Sequence, residues 1–162
     1  MRLIILSLIT ALLLASCEQG SKEPQQQPEQ TAAPQPAATT LPSLPMDILK
    51  NLWDNCDYVD YVFYNLPISM SLNNQPSIQN SLSQIASDPA PVLPQCKSIG
   101  RLFYQIKGEN VQMAEIYFTA GCTYFVFLKD DKPAYSNYIT PEGVAYLNNI
   151  FSQAGIKPEQ IR

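Results

Sequence analysis

The chain has 162 residues, 46% of them apolar, 15% charged, and a formal net charge of −4, which suffices for one modest core and not for two. Histidine is absent, which removes His-based triads, Cys–His dyads, imidazole metal sites and imidazole pH switches together. The ten basic residues form no cluster, which argues against nucleic acid as a partner and against electrostatic lipid binding.

Met1-Arg2 supplies a short positive start. Leu3 to Leu14 is apolar except for Ser7 and Thr10. At ~1.5 Å per residue this run covers ~18 Å, short of a ~30 Å hydrocarbon core and suited to a signal-peptide core. Small residues Ala15 and Ser16 lead into Cys17. Leu14-Ala15-Ser16-Cys17 resembles the lipobox of bacterial lipoproteins, a resemblance confined to residues 1–17. It implies a signal peptide over 1–16, cleavage before Cys17, a diacylglyceryl group on the Cys17 sulfur and a further acyl chain, of the palmitate kind, on the new amine. Two or more chains make a stable anchor where one binds reversibly. In that family an aspartate after the cysteine favours inner-membrane retention. Glu18 stands there instead, so the expected location is the cell envelope, at the outer membrane. Glu18, Lys22 and Glu23 also look like the surface-export tags of some members of the family.

Residues 17–45 read as the lipidated cysteine followed by a disordered tether. Glu18 to Pro45 holds six Pro and six Gln and no aromatic residue. Such a composition cannot bury enough surface to offset the entropy of ordering it. As a flexible coil it spans about 30 Å.

Residues 46–162 are expected to form a single α+β domain. Ile48, Leu52, Cys56, Val59 and Phe63 step at helical spacing, which predicts an amphipathic helix from Met46 to about Tyr64. The density of β-branched and aromatic residues after Val59 leaves a break near Cys56 and a following strand as the alternative. Ile68 to Asn74 reads as a connection. Pro76 with Ile78, Leu82 and Ile85 predicts a short helix over Gln75–Ala86. Pro89, Pro91 and Pro94 make Ser87–Ser98 an extended loop.

From Gly100 the apolar period becomes two. Strands are expected at Gly100–Lys107, Val111–Thr119 and Cys122–Leu128, with a weaker one at Pro133–Tyr138. Gly108-Glu109-Asn110, Ala120-Gly121 and Asp130-Asp131 form the turns of an antiparallel meander of three to four strands. Thr140-Pro141-Glu142 starts a last helix that Gly155 stops. Two helices, a meander and a C-terminal helix make an α+β arrangement.

The chemistry of this domain is sparse. Cys56, Cys96 and Cys122 lack the tight spacings of zinc or redox motifs, and the scattered glycines form no phosphate loop. No metal site and no cofactor are expected. Outside the cytoplasm disulfides form. If the first and third meander strands run the same way, their starts lie roughly 10 Å apart at one sheet end. Cys96 precedes the first and Cys122 opens the third, so Cys96–Cys122 is the favoured bridge, with Cys56 left as a free core thiol. Asp57 and Asp60, one helical turn apart, read as a solvated face rather than an acid–base pair.

Tyr58, Tyr61 and Tyr64 recur every three residues and would line one side of a helix. An exposed tyrosine row suits a peptide or a glycan, and a core with its rim is the plainer reading. The strand at Gly100–Lys107 contains no proline, and as an uncovered edge it would accept a partner strand. The expected function is a lipid-anchored envelope protein, held to the membrane through Cys17, whose non-enzymatic domain has a binding or structural role towards an unidentified envelope protein or glycan. The alternative is a thiol-dependent redox protein or enzyme using the unpaired cysteine.

Overall fold

The computed structural model of the protein describes residues 37–161. The expected signal peptide, Cys17 and most of the expected tether lie outside the described residues. The described chain runs β1 (Thr39–Thr40), α1 (Met46–Asn55), β2 (Tyr58–Phe63), β3 (Ser69–Leu72), α2 (Gln75–Leu82), β4 (Pro91–Val92), β5 (Gly100–Ile106), β6 (Glu109–Thr119), β7 (Cys122–Lys129), β8 (Lys132–Tyr138) and α3 (Pro141–Gln153), then a 3₁₀ turn at Pro158–Gln160.

The fold is α+β. Its centre is a six-stranded antiparallel sheet in the order β3-β2-β5-β6-β7-β8. The expected meander is present as β5 to β8, joined by tight hairpins. Lys107 and Gly108 (φ 54° and 82°) turn the first, and Asp130 and Asp131 (φ 52° and 57°) turn the last. Both pairs have the left-handed conformation whose twist matches the flanking strands. The first turn is two residues long, so β6 begins at Glu109 rather than Val111.

The N-terminal half differs from the sequence expectation. The helix from Met46 stops at Asn55, Cys56 is extended, and Tyr58–Phe63 is a strand. Helical spacing and strand alternation coexist in this run. Pairing with a neighbour on each side decides for the strand. The stretch expected as a connection contains β3, and α2 ends at Leu82 rather than Ala86. The sheet therefore has two strands more than the meander.

One sheet face carries the helices and the main core. Val59, Tyr61, Leu102, Ile116 and Phe127 meet Leu52, Ile78 and Leu147 there, all essentially without solvent contact. Phe151 of α3 packs edge-on to Phe63 at 5.2 Å between ring centres. Asn74 caps α2 by accepting the Ser77 N–H at 3.0 Å, and Thr140 caps α3 by accepting the Gly143 N–H at 3.1 Å. Gly155 (φ 70°) ends α3, and the Ile156 N–H returns to the Phe151 carbonyl at 2.8 Å.

The opposite face is half covered by a strap. Residues 86–98 cross it from β8 towards β5, and β1 pairs antiparallel with β4 on top. Ala90, Cys122, Tyr124, Val126 and Leu128 form a second small core beneath, joined by Leu41 and Val92. The last residues assigned to the tether thus belong to the domain. Leu44 is buried in the main core, its N–H donates to Asn137 Oδ1 at 2.8 Å, and the Pro42 carbonyl accepts the Ser136 N–H at 2.9 Å. The domain starts near Thr39, not Met46.

Candidate functional site

The uncovered half of the strap face lies over β3, β2, β5 and the near side of β6. Its rows follow from register. Ser71, Asp60, Phe103 and Met113 lie in one row, and Ser69, Val62, Arg101 and Glu115 lie in the next. Partners in register point to the same face of a sheet. Val62 is 37% exposed and Tyr64, just past β2, is 48% exposed. Phe103 and Met113 are half-buried.

Glu115 organises this surface. Its Oε1 accepts from Arg101 Nε at 2.7 Å and from Arg101 Nη2. Its Oε2 accepts from the Tyr64 hydroxyl at 2.6 Å and from the Ser98 hydroxyl. Burial alone would raise the Glu115 carboxyl. The hydrogen bonds from Ser98, Tyr64 and Arg101, with the Arg101 charge, outweigh burial and hold it below the ordinary value. Burial and the bond to Glu115 raise the Tyr64 phenol, so it stays protonated as a donor. The result is an ordered Arg–Glu–Tyr cluster flanked by Val62 and Phe103. It offers apolar area with a polar grip and no reacting group.

The three tyrosines expected on one side are divided by the strand. Tyr58 and Tyr64 point to the open face, while Tyr61 is fully buried on the other, its hydroxyl 2.6 Å from Ser81 Oγ. A helix would have aligned them. A strand alternates, so spacings of three cross faces. Asp57 and Asp60 separate for the same reason. Asp57 accepts the Lys107 N–H at 2.8 Å and Asp60 accepts the Ser71 hydroxyl at 2.8 Å. β5 is not an edge, since β2 and β6 flank it.

Cys96 and Cys122 are joined, with Cα atoms 5.7 Å apart, and the bridge ties the strap to the start of β7. Cys56 is free and buried. Burial raises its thiol pKa, more than the backbone hydrogen bonds lower it, and the thiol faces the Tyr58 carbonyl at 3.3 Å. A nucleophilic thiolate needs the reverse, an exposed site and a lowered pKa. Among the described residues no three His, Cys, Asp or Glu side chains are grouped to hold a metal ion. A cavity of about 430 Å³ opens by Ile48, Met113, Leu128 and Asp130, and an apolar one of about 340 Å³ by Phe118, Val144 and Ile161. Neither brings together a nucleophile and a base. Gln84, whose Cβ and Cγ lie close to Gly143 of α3, buries an amide with neither its nitrogen nor its oxygen partnered by a protein group.

The alternation of β5 puts Arg101 and Phe103 on one side of their strand. Glu115 and Tyr64 are not legible from the sequence as their neighbours, because cross-strand register has no local signature. No family model matches the chain, and no curated protein or solved structure is similar to it.

Proposed function

We propose that the protein is a bacterial envelope lipoprotein, anchored at the outer membrane by lipid on Cys17, whose domain binds an envelope protein or glycan without catalysis. The anchor rests on Leu14-Ala15-Ser16-Cys17 at the end of a short apolar run. Among the described residues no helix is long and apolar enough to cross a membrane. The binding surface rests on one observation: Val62, Tyr64 and Phe103 stand around the Arg101–Glu115 pair on a sheet face that the strap leaves open. Aromatic and Arg side chains held in place at little entropic cost are the groups that dominate interface energetics.

Two experiments test the reading. Metabolic labelling with palmitate should label the wild-type chain and not Cys17→Ser; persistent label on the variant would discard the anchor. A photo-reactive amino acid at Val62 should capture an envelope component in living cells, and the same group at exposed Lys157 should not. Equal capture at both positions would discard the surface.

The thiol-enzyme reading has one chemical handle, Cys56, and its burial and raised pKa weigh against it. A thiol reagent at neutral pH should modify Cys56 only as the protein unfolds. Rapid stoichiometric reaction of the folded protein would revive that reading.

A further inference from the structure

The two edges of the sheet are finished differently. The outer side of β8 is closed by the strap, with the Ala90 N–H on the Ser136 carbonyl at 3.3 Å and the Ser136 N–H on the Pro42 carbonyl. Its remaining end carries Lys132 and Pro133, devices that discourage pairing. β3 has none of them. It bears no charge and no proline, and among the described residues no strand pairs with its outer side.

Which backbone groups β3 leaves open follows from the ladder. Along an antiparallel strand, successive residues bond alternately to one neighbour and the other. The Tyr64 N–H donates to the Ile99 carbonyl at 3.0 Å, in register with Phe63 opposite Gly100. Even-numbered residues of β2 therefore bond β5, and odd-numbered ones bond β3. The bonded pairs of β2 and β3 are then Val59 with Leu72 and Tyr61 with Met70. The N–H and C=O groups of Ser69 and Ser71 point outward.

We propose that β3 pairs antiparallel with β3 of a second copy of this chain, about a two-fold axis at Met70. In that register Ser69 stands opposite the partner's Ser71, and Ser71 opposite the partner's Ser69. Four backbone hydrogen bonds form, all from groups that β2 does not use. The side chains agree with the backbone. Ile68-Ser69-Met70-Ser71-Leu72 alternates apolar and polar residues symmetrically about Met70. The pairing sets Ile68, Met70 and Leu72 of both copies on the helix-bearing face and the serines on the other. This self-matching of one segment is what an isologous contact requires. On the helix-bearing side, the Tyr146 hydroxyl already donates to Met70 Sδ at 3.4 Å, so α3 flanks the axis. The product is a continuous sheet across two domains, with both open Arg101–Glu115 faces on one side of it. The inference does not depend on the lipid anchor.

The test is a position-specific cross-link on the full chain in detergent micelles. Met70→Cys places two sulfurs opposite each other in a non-hydrogen-bonded pair, where Cβ atoms lie about 4.5–5.5 Å apart. Mild oxidation should yield a reducible dimer at least ten-fold in excess of that formed by Asp131→Cys in the β7–β8 turn. Adding Ser69→Pro removes an outward N–H that the fold does not use, and should return the yield to the Asp131→Cys level with an unchanged melting temperature. If that variant melts early, Ser69→Lys replaces it and should act through charge. Equal cross-linking at positions 70 and 131 would overturn the proposal. So would a yield that survives the edge substitution in a folded protein.

Discussion

Glu115 receives Arg101 on one carboxylate oxygen and Tyr64 on the other, so a residue of β6 fixes two residues that lie 37 positions apart in the chain. The cluster carries the only charged pair on the open sheet face among the described residues, and its protonation is tied to folding.

The folded Glu115 carboxyl titrates below its unfolded value, so its contribution is full above the unfolded carboxylate range and is lost as pH falls through the folded value. Glu115→Gln should cost about 1–2 kcal/mol at pH 7, the loss of charge-assisted bonds at a half-open site. Denaturant unfolding at pH 7, 5, 4 and 3 should show the gap between wild type and variant narrowing below about pH 4. A constant gap would mean that the carboxylate charge plays no part.

The Cys96–Cys122 bridge closes 26 residues of sequence separation. The chain-entropy relation gives about 3.5 kcal/mol for a loop of that length. Replacing both cysteines with alanine should lower stability by about that amount and open the strap to protease between Ser87 and Lys97. Unchanged protection would show that Ala90 and Leu93 hold the strap without the bridge.

The composition of the tether predicts that starting the chain at Met46 is harmless. The structure predicts a loss. Such a chain lacks the buried Leu44 side chain, leaves Asn137 Oδ1 without the Leu44 N–H, and removes β1 from β4. Compared with a chain starting at Ala37, it should lose more than about 2 kcal/mol. Equal melting of the two would return residues 37–45 to the tether.

Gln84 buries an amide without a protein partner. Methionine has nearly the same shape and needs no hydrogen bonds, so Gln84→Met should be neutral or stabilising by up to about 1 kcal/mol. A clear drop in melting temperature would show that the amide holds an internal water.

The C-terminal half was legible because each element carries its own local signal. Alternation marks β5 to β7, the turn residues Gly108, Gly121 and Asp130-Asp131 mark the hairpins to within two residues, and Thr140-Pro141 marks the start of α3. The N-terminal half was not. Residues 58–63 satisfy two periods at once, and only the presence of β5 on one side and β3 on the other selects the strand. The tyrosine row followed that ambiguity, and Tyr61 left the surface with it. Thr39 to Pro45 resembled the preceding spacer in composition. Leu41 and Leu44, its only large apolar residues, were the trace of a strap that packs. The bridge was legible because it depends on the order of the meander strands, which the turns specify.

β5 to β8 meet through hairpins of two residues, whereas β2 must wait for β5, which begins at Gly100, before it has a neighbour other than β3. Contacts near in sequence close quickly and distant ones slowly. In a chain emerging amino-terminus first, β2 therefore has only β3 as a sheet neighbour until residues 100–106 arrive. Pulse-labelled amide exchange during refolding would display this order as early protection in Leu102 to Val126 and late protection in Val59 to Phe63.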